Sequence, residues 1–122
     1  MQYMLLVYET PEDFVSRRDA RQDSYIAAWR AYHKSLVEAG AYIGGDALLP
    51  AGSATTVRLK SGRRQVQDGP YADTKEQLGG YILLELPSLD AALECAARCP
   101  AAATGAVEVR PLQPEIRERV ER

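Results

Sequence analysis

Two segments of this chain, residues 2–8 and 80–86, are predicted β-strands that are apolar on both faces. Successive side chains of a strand point to opposite sides of its sheet. The two faces of the first segment carry Tyr3, Leu5 and Val7 on one side, and Met4, Leu6 and Tyr8 on the other. A sheet built from such strands needs cover on both sides, because large exposed apolar faces are rare on soluble monomers.

The sequence predicts two long helices that supply part of this cover. Between residues 25 and 37 apolar side chains recur at the helical spacing of three and four, and Gly40 is a natural C-terminal stop. These apolar residues are Tyr25, Ile26, Trp29, Tyr32, Leu36 and Val37. A second helix is predicted over residues 89–98, with Ser88 as its N-cap and Pro100 beyond its end.

The remaining elements complete an α+β order. They are a short helix near residues 11–18, a strand opening at Ala41 that Gly44-Gly45 bends, a hairpin of residues 55–59 and 63–67 around Ser61-Gly62, and a last strand over 106–110. The order β-α-β, hairpin, β-α-β predicts a ferredoxin-like sandwich with an inserted hairpin and both long helices on one face of the sheet. Residues 112–122, which are mostly charged, are predicted to form a C-terminal arm or a short surface helix.

The number of helices also predicts the assembly. Two helices cover one face of the sheet, yet the strands are apolar on both. Packing two sheets face to face in a symmetric pair removes the exposed apolar area. We therefore expect a homodimer.

Charge and hydropathy narrow the range of partners. The net charge of −2 and the isoelectric point of about 5.4 argue against nucleic acid and anionic membrane, which both require a basic surface. No apolar run approaches the ~18 residues of a membrane span. The N-terminal apolar run lacks the basic segment and small-residue cleavage site of a signal peptide, so we expect a cytoplasmic protein.

Neither a cofactor nor a metal is predicted. The sequence has no phosphate loop and no dinucleotide fingerprint. Its single histidine and scattered carboxylates lack the spacing of a metal site. Cys95 and Cys99 are four residues apart on a predicted helix, where a disulfide is geometrically disfavoured, and they are predicted to be small core residues.

His33 and Asp46 are the first candidates for chemistry. His33 falls inside the apolar stripe of the first long helix and is predicted to face the sheet or its margin. An imidazole titrates near neutral pH and suits general acid/base catalysis, and a carboxylate such as Asp46 would orient it. A core histidine bonded to backbone and a loop aspartate remain the structural alternatives.

The densest polar cluster is the segment Asp68-Gly69-Pro70-Tyr71-Ala72-Asp73-Thr74-Lys75-Glu76. It lies between the hairpin and a buried strand, and Gly79-Gly80 follow it. It is predicted either to line a cleft for a small polar molecule or to be a solvated surface turn. The candidate ligand-binding residues are Trp29, Asp68, Tyr71, Lys75, Glu76 and Tyr81, and Asp73 is a third candidate catalytic residue.

This segment, with Gly79-Gly80-Tyr81 after it, resembles the signature of the YCII-related, DGPF-type proteins. Further matches are Tyr3-Met4-Leu5-Leu6-Val7-Tyr8, Ala39-Gly40, Thr55-Thr56-Val57-Arg58, and Val107-Glu108-Val109-Arg110-Pro111. The resemblance covers residues 1–111 and implies a ferredoxin-like protomer in a dimeric α/β-barrel with a cleft beside the sheet. Some relatives are thought to use a His–Asp pair, at a helix position that corresponds to Trp29 here, one turn before His33. Tyr71 replaces the usual Phe of the motif.

Two functional hypotheses follow. The first is an enzyme with acid/base chemistry of the lyase or isomerase kind on a small organic substrate, using His33 with Asp46 or Asp73. The second is a small-molecule-binding or regulatory homodimer without turnover, whose pocket is lined by Trp29, Tyr71 and Tyr81.

Overall fold

The structure, a computed structural model, describes residues 1–18 and 23–122, and the side chains of all of these except Asp23. The strands are β1 (Gln2–Glu9), β2 (Tyr42–Ala47), β3 (Thr55–Lys60), β4 (Arg63–Asp68), β5 (Gln77–Glu85) and β6 (Ala106–Pro111). The α-helices are α1 (Pro11–Ser16), α2 (Asp23–Glu38), α3 (Leu89–Arg98) and α4 (Pro114–Glu121).

The main sheet has the strand order β2-β5-β1-β6, and all neighbouring strands are antiparallel. With one long helix, α2, between β1 and β2 and another, α3, after β5, this is the ferredoxin-like arrangement. The hairpin of β3 and β4 forms a separate two-stranded sheet between β2 and β5 in the chain. The predicted fold class, with its inserted hairpin, is therefore confirmed.

The core lies on one face of this sheet. Leu5 and Val7 of β1 are buried there against Tyr32 and Leu36 of α2 and Cys95 of α3. Both long helices thus pack on the same face, as the element order predicts. On the opposite face, the alternate residues of β1 are only partly covered within one chain.

The two cysteines belong to this core. Cys95 and Cys99 are both free and buried, in agreement with the sequence interpretation. Burial raises the pKa of the Cys99 thiol to about 11, because the thiolate would lose its hydration there.

Element ends differ from the predictions where glycine is involved. β5 begins at Gln77, three residues before the predicted start, and runs through Gly79 and Gly80. Glycine normally weakens a strand, but here it permits a close approach of neighbouring groups. In the β3–β4 hairpin, Ser61 and Gly62 both have positive φ, as the favoured two-residue hairpin turn requires.

The charged C-terminal arm contains a helix, α4, that carries no buried residue. Among the described residues, no helix is both long and apolar enough to cross a membrane.

Candidate functional site

A cavity of about 450 Å³ lies between α2 and the sheet, at the end of β1 and beside β2 and β5. The α2 residues that line it are Tyr25, Ile26, Trp29, Arg30, Tyr32 and His33. They share one side of the helix because residues three and four apart are neighbours on a helical surface. The sheet side is lined by parts of β1, β2 and β5, and Arg17 lies at the α1 end.

Aromatic rings make up much of the helix wall. The rings of Tyr25 and Trp29 lie edge to face with centroids 6.3 Å apart, and Trp29 meets Tyr32 in the same way at 5.9 Å. His33 lies edge to face with Tyr42 of β2 at 4.6 Å. Such a wall offers flat apolar surfaces and ring edges to a ligand.

Three glycines form part of the opposite wall. A Cβ at Gly45 would lie 2.6 Å from a backbone oxygen of β5, and a Cβ at Gly80 would lie 2.8 Å from a backbone oxygen of β2. At Gly79 it would lie 2.1 Å from the Glu9 carboxylate. Any side chain at these positions would collide with a neighbour, which explains why the glycines stand inside the strands.

A buried carboxylate lies at the inner end of the cavity. Glu9 is 2% exposed and ends β1 on the buried face of that strand. Its Oε1 accepts from the Nη2 of Arg17, and its Oε2 accepts a hydrogen bond of 2.5 Å from the Tyr25 hydroxyl. A charge this deeply buried is tolerated only when it is paired and hydrogen-bonded.

Arg17 links this carboxylate to the surrounding backbone. Its Nη2 donates to the Gly79 carbonyl at 2.7 Å and its Nη1 to the Leu48 carbonyl at 2.6 Å. One guanidinium thus joins the end of α1 to β1, to β5 and to the residue after β2. The rigid fork of arginine donors suits this role better than a lysine ammonium would.

Tyr25 stays protonated in this setting. Burial, and next the hydrogen bond to Glu9, raise the pKa of its hydroxyl above the ordinary value, while the Trp29 indole acts in the opposite direction. The Tyr25 proton is therefore held between the phenol oxygen and the carboxylate at neutral pH.

The structure places His33 and Asp46 at this cavity but does not join them. His33 is exposed, and Asp46 accepts a hydrogen bond of 2.9 Å from the Tyr81 hydroxyl. This bond is the first cause that raises the pKa of Tyr81. Within the described part of the chain, no hydrogen bond connects the imidazole to a carboxylate.

The predicted residues divide into two groups. Trp29, His33, Asp46 and Tyr81 all line the cavity. Asp68, Tyr71, Asp73, Lys75 and Glu76 lie outside it, at the end of the hairpin and in the segment before β5. Tyr71 is 76% exposed, with the Arg58 guanidinium 5.0 Å from its ring centre. The roles of both groups stay predictions.

Sequence reasoning missed the functional potential of Glu9, Arg17 and Tyr25. A signal for Glu9 was present, because it continues the buried alternation of Leu5 and Val7 by one more step. A carboxylate in phase with core residues indicates a buried pair. In the ranges 1–18 and 23–122, no three His, Cys, Asp or Glu residues are grouped as a metal ion would require.

Comparisons with known proteins agree with this fold. The family model of the YCII-related domain matches residues 1–116. An uncharacterized protein of Rhizobium meliloti (strain 1021) is 38% identical over 115 residues, which is 92% of each chain.

A solved structure is similar over 93% of this chain and 94% of its own, with a TM-score of 0.55 and 17% identity. It is the 5-chloro-2-hydroxyhydroquinone dehydrochlorinase (TftG) of Burkholderia phenoliruptrix, in complex with 2,5-dihydroxybenzoquinone. At this identity the likeness concerns the fold. From the family match and the close relative, the chain belongs to the YCII-related domain family.

Proposed function

We propose that this protein binds a small planar organic ring in the cavity between α2 and the sheet. The observation that carries the proposal is the lining: tyrosine and tryptophan edges on the helix side, and the glycines Gly45, Gly79 and Gly80 on the sheet side. Apolar, aromatic walls with a few polar groups are typical of small-molecule sites. The volume of about 450 Å³ accommodates one ring with its substituents.

The complex of the similar dehydrochlorinase guides the choice of probe. Its ligand, 2,5-dihydroxybenzoquinone, is a planar oxygenated ring. Planar oxygenated rings match the size and the aromatic lining of the cavity. They are therefore the first compounds with which binding should be tested.

For catalysis, we propose acid/base chemistry of the lyase or isomerase kind, with His33 moving the proton. Its imidazole is exposed at the cavity and is the only one in the chain. An imidazole is the side chain best suited to accept and return a proton in general acid/base catalysis. Asp46 contributes to the cavity lining, while its carboxylate accepts from the Tyr81 hydroxyl, whose residue is paired with Leu6 on the open face of the sheet.

The second candidate function is binding without turnover. The observation that favours it is that the Asp46 carboxylate is bonded to Tyr81 rather than to His33. An imidazole without a carboxylate to orient it is a weaker catalyst than one in a dyad.

Trp29 gives a direct test, because it is the single tryptophan of the chain and lines the cavity. Titration with 2,5-dihydroxybenzoquinone and related phenols should quench the intrinsic tryptophan fluorescence and saturate. Chromatography of the same mixtures then reports any product. Loss of turnover with retained quenching in His33→Gln supports the catalytic proposal, and quenching without product in the native protein supports the binding proposal. If no compound changes the fluorescence at millimolar concentration, the cavity is not a ring-binding site.

We also propose that the protein is a homodimer joined through the open face of the main sheet. Met4 and Leu6 of β1 lie there opposite Leu83 and Tyr81 of β5. These side chains are partly exposed in one chain, and a second copy would cover them.

A further inference from the structure

We infer that Tyr25 determines ligand specificity: its phenol oxygen accepts a hydrogen bond from a hydroxyl group on the bound ring. This inference rests on the proposed ring-binding function and names the chemical class of the ligand. It depends on which group holds the Tyr25 proton and on how the charges of Glu9 and Arg17 are paired.

The proton of Tyr25 is already committed. A phenol has one O–H to donate, and Tyr25 donates it to Oε2 of Glu9 at 2.5 Å. The Glu9 carboxylate is 2% exposed and fixed by Arg17, so it does not turn away from this bond. The Tyr25 oxygen therefore offers the cavity an acceptor and no donor.

The surroundings of this oxygen are compatible with its role as an acceptor. The indole of Trp29 lies edge to face with the Tyr25 ring, with centroids 6.3 Å apart, and opposes the rise of the Tyr25 pKa. A ligand hydroxyl would approach the same oxygen from the cavity, where Tyr25, Trp29 and Glu9 all line the wall.

The charges of Glu9 and Arg17 cancel next to Tyr25. The Glu9 carboxylate and the Arg17 guanidinium form an ion pair, so they leave no net charge at the inner end. Two Arg17 nitrogens are also engaged with the carbonyls of Gly79 and Leu48. A phenolate oxygen placed at Tyr25 would bring a second negative charge next to Glu9, whose cation Arg17 is already paired, at a cost that a neutral hydroxyl avoids. Arg30 also lines the cavity, so an anionic substituent at another position of the ring is compatible with the site.

A ligand with a hydroxyl group at this place is thus expected to bind more tightly than a ligand with an ether or carbonyl oxygen there. A buried polar group that a ligand leaves unpaired weakens binding much more than a lost apolar contact does. An ether or carbonyl at this place would put two acceptors face to face. The site should select phenols or enols over their ethers and over carbonyl analogues of similar size.

The experiment compares 4-methylphenol, 4-methylanisole and 4-methylbenzaldehyde by titration calorimetry on the full chain. We expect the native protein to bind the phenol about tenfold or more tightly than either of the others. In Tyr25→Phe, we expect the preference for the phenol to fall to about threefold or less, because the acceptor is gone. Tyr3→Phe, a buried tyrosine outside the cavity, is the matched control and should keep the full preference.

Equal binding of the three compounds by the native protein would overturn this inference and leave ring binding intact. Tight binding of the aldehyde would also overturn it, because Tyr25 would then be donating its proton to the ligand. An unchanged preference in Tyr25→Phe would assign the selection to another group. If none of the compounds binds, the ring-binding function fails together with the inference. The three-compound comparison on the native protein decides the matter even if Tyr25→Phe does not fold.

Discussion

Glu9 shows how one residue links the core of this protein to its cavity. It occupies the last buried position of β1, where the preceding buried residues are Leu5 and Val7. Two features of the surroundings make a charge acceptable there: the Arg17 guanidinium and the Tyr25 hydroxyl. Both come from elements that follow β1 directly, so the cavity end is built around a carboxylate that the strand pattern places in the interior.

The ion pair predicts a large effect for one substitution. Arg17→Met removes the cation and leaves the Glu9 charge buried, which should lower the free energy of unfolding by about 3 kcal/mol or more. Urea denaturation at neutral pH measures this loss. The matched control is Arg110→Met, whose ion pair with Glu108 is largely exposed and screened by water, so its loss should change the stability much less. Equal losses in the two variants would contradict the role assigned to burial. The double variant Glu9→Gln/Arg17→Met should be less destabilised than the sum of its single changes.

The sequence predicts on which side of an element a residue lies, but not which distant residues it contacts. The period of α2 placed Trp29 and His33 on the side that lines the cavity. No local pattern links Arg17 to Leu48 and Gly79, which lie 31 and 62 residues further along the chain. Such contacts depend on how the strands pair, and strand pairing is only weakly encoded in neighbouring residues.

Helix α1 is short, and its first turn determines where Arg17 is held. Thr10 and Asp13 form a capping box: the Thr10 Oγ1 accepts from the Asp13 amide at 3.2 Å, and Asp13 Oδ2 accepts from the Thr10 amide at 3.0 Å. The same Oδ2 accepts from the Thr104 hydroxyl at 2.7 Å. The hydrogen bonds of Asp13 hold the first turn of α1, and Arg17 is the C-cap at its other end. This short helix therefore connects the Asp13 network to the cavity.

Asp13→Ala is therefore expected to cost more than an ordinary cap. It removes both bonds that the carboxylate accepts and should lower the free energy of unfolding by about 2 kcal/mol. Ser88→Ala at α3 is the comparison, because Ser88 makes a single exposed cap bond and should cost about 1 kcal/mol. Chemical denaturation of both variants gives the difference. A cost for Asp13→Ala no larger than that for Ser88→Ala would mean that α1 does not depend on this network.

At the scale of elements, periodicity predicted the helices and the hairpin, and glycine obscured one strand. α3 spans the predicted residues 89–98, and the alternation of residues 106–110 corresponds to β6. The start of β5 was placed too late because Gly79 and Gly80 look like a boundary when only their local propensity is considered. Their actual reason, the lack of space for a Cβ beside Glu9 and β2, lies in the tertiary structure.

At the scale of the whole molecule, two tyrosines and one cysteine keep their protons to higher pH than usual. The free energy of unfolding is therefore expected to fall in alkaline solution. Burial raises the pKa of Tyr25, Tyr32 and Cys99, the last to about 11. Above pH ~9 the unfolded chain loses these protons first, so the folded state binds more protons and stability falls as pH rises. We expect the free energy of unfolding to drop by at least about 2 kcal/mol between pH ~9 and ~11. Urea denaturation across this range should show a smaller drop in Tyr32→Phe, and an identical drop would contradict the assignment.

The open face of the sheet makes the dimer testable at the same scale. Leu6 of β1 lies beside Tyr81 of β5 and Glu108 of β6, in the middle of the face that the helices leave uncovered. A lysine there would have to lose its hydration between two copies, whereas in a single chain it would remain in water. Light scattering should therefore give about twice 13.4 kDa for the native protein and 13.4 kDa for Leu6→Lys. Val37→Lys, on the exposed side of α2, is the control and should stay dimeric. A native mass of one chain would show that the protein is not a dimer and that the apolar face is exposed to water. An unaltered dimer in Leu6→Lys would show that this face is not the interface.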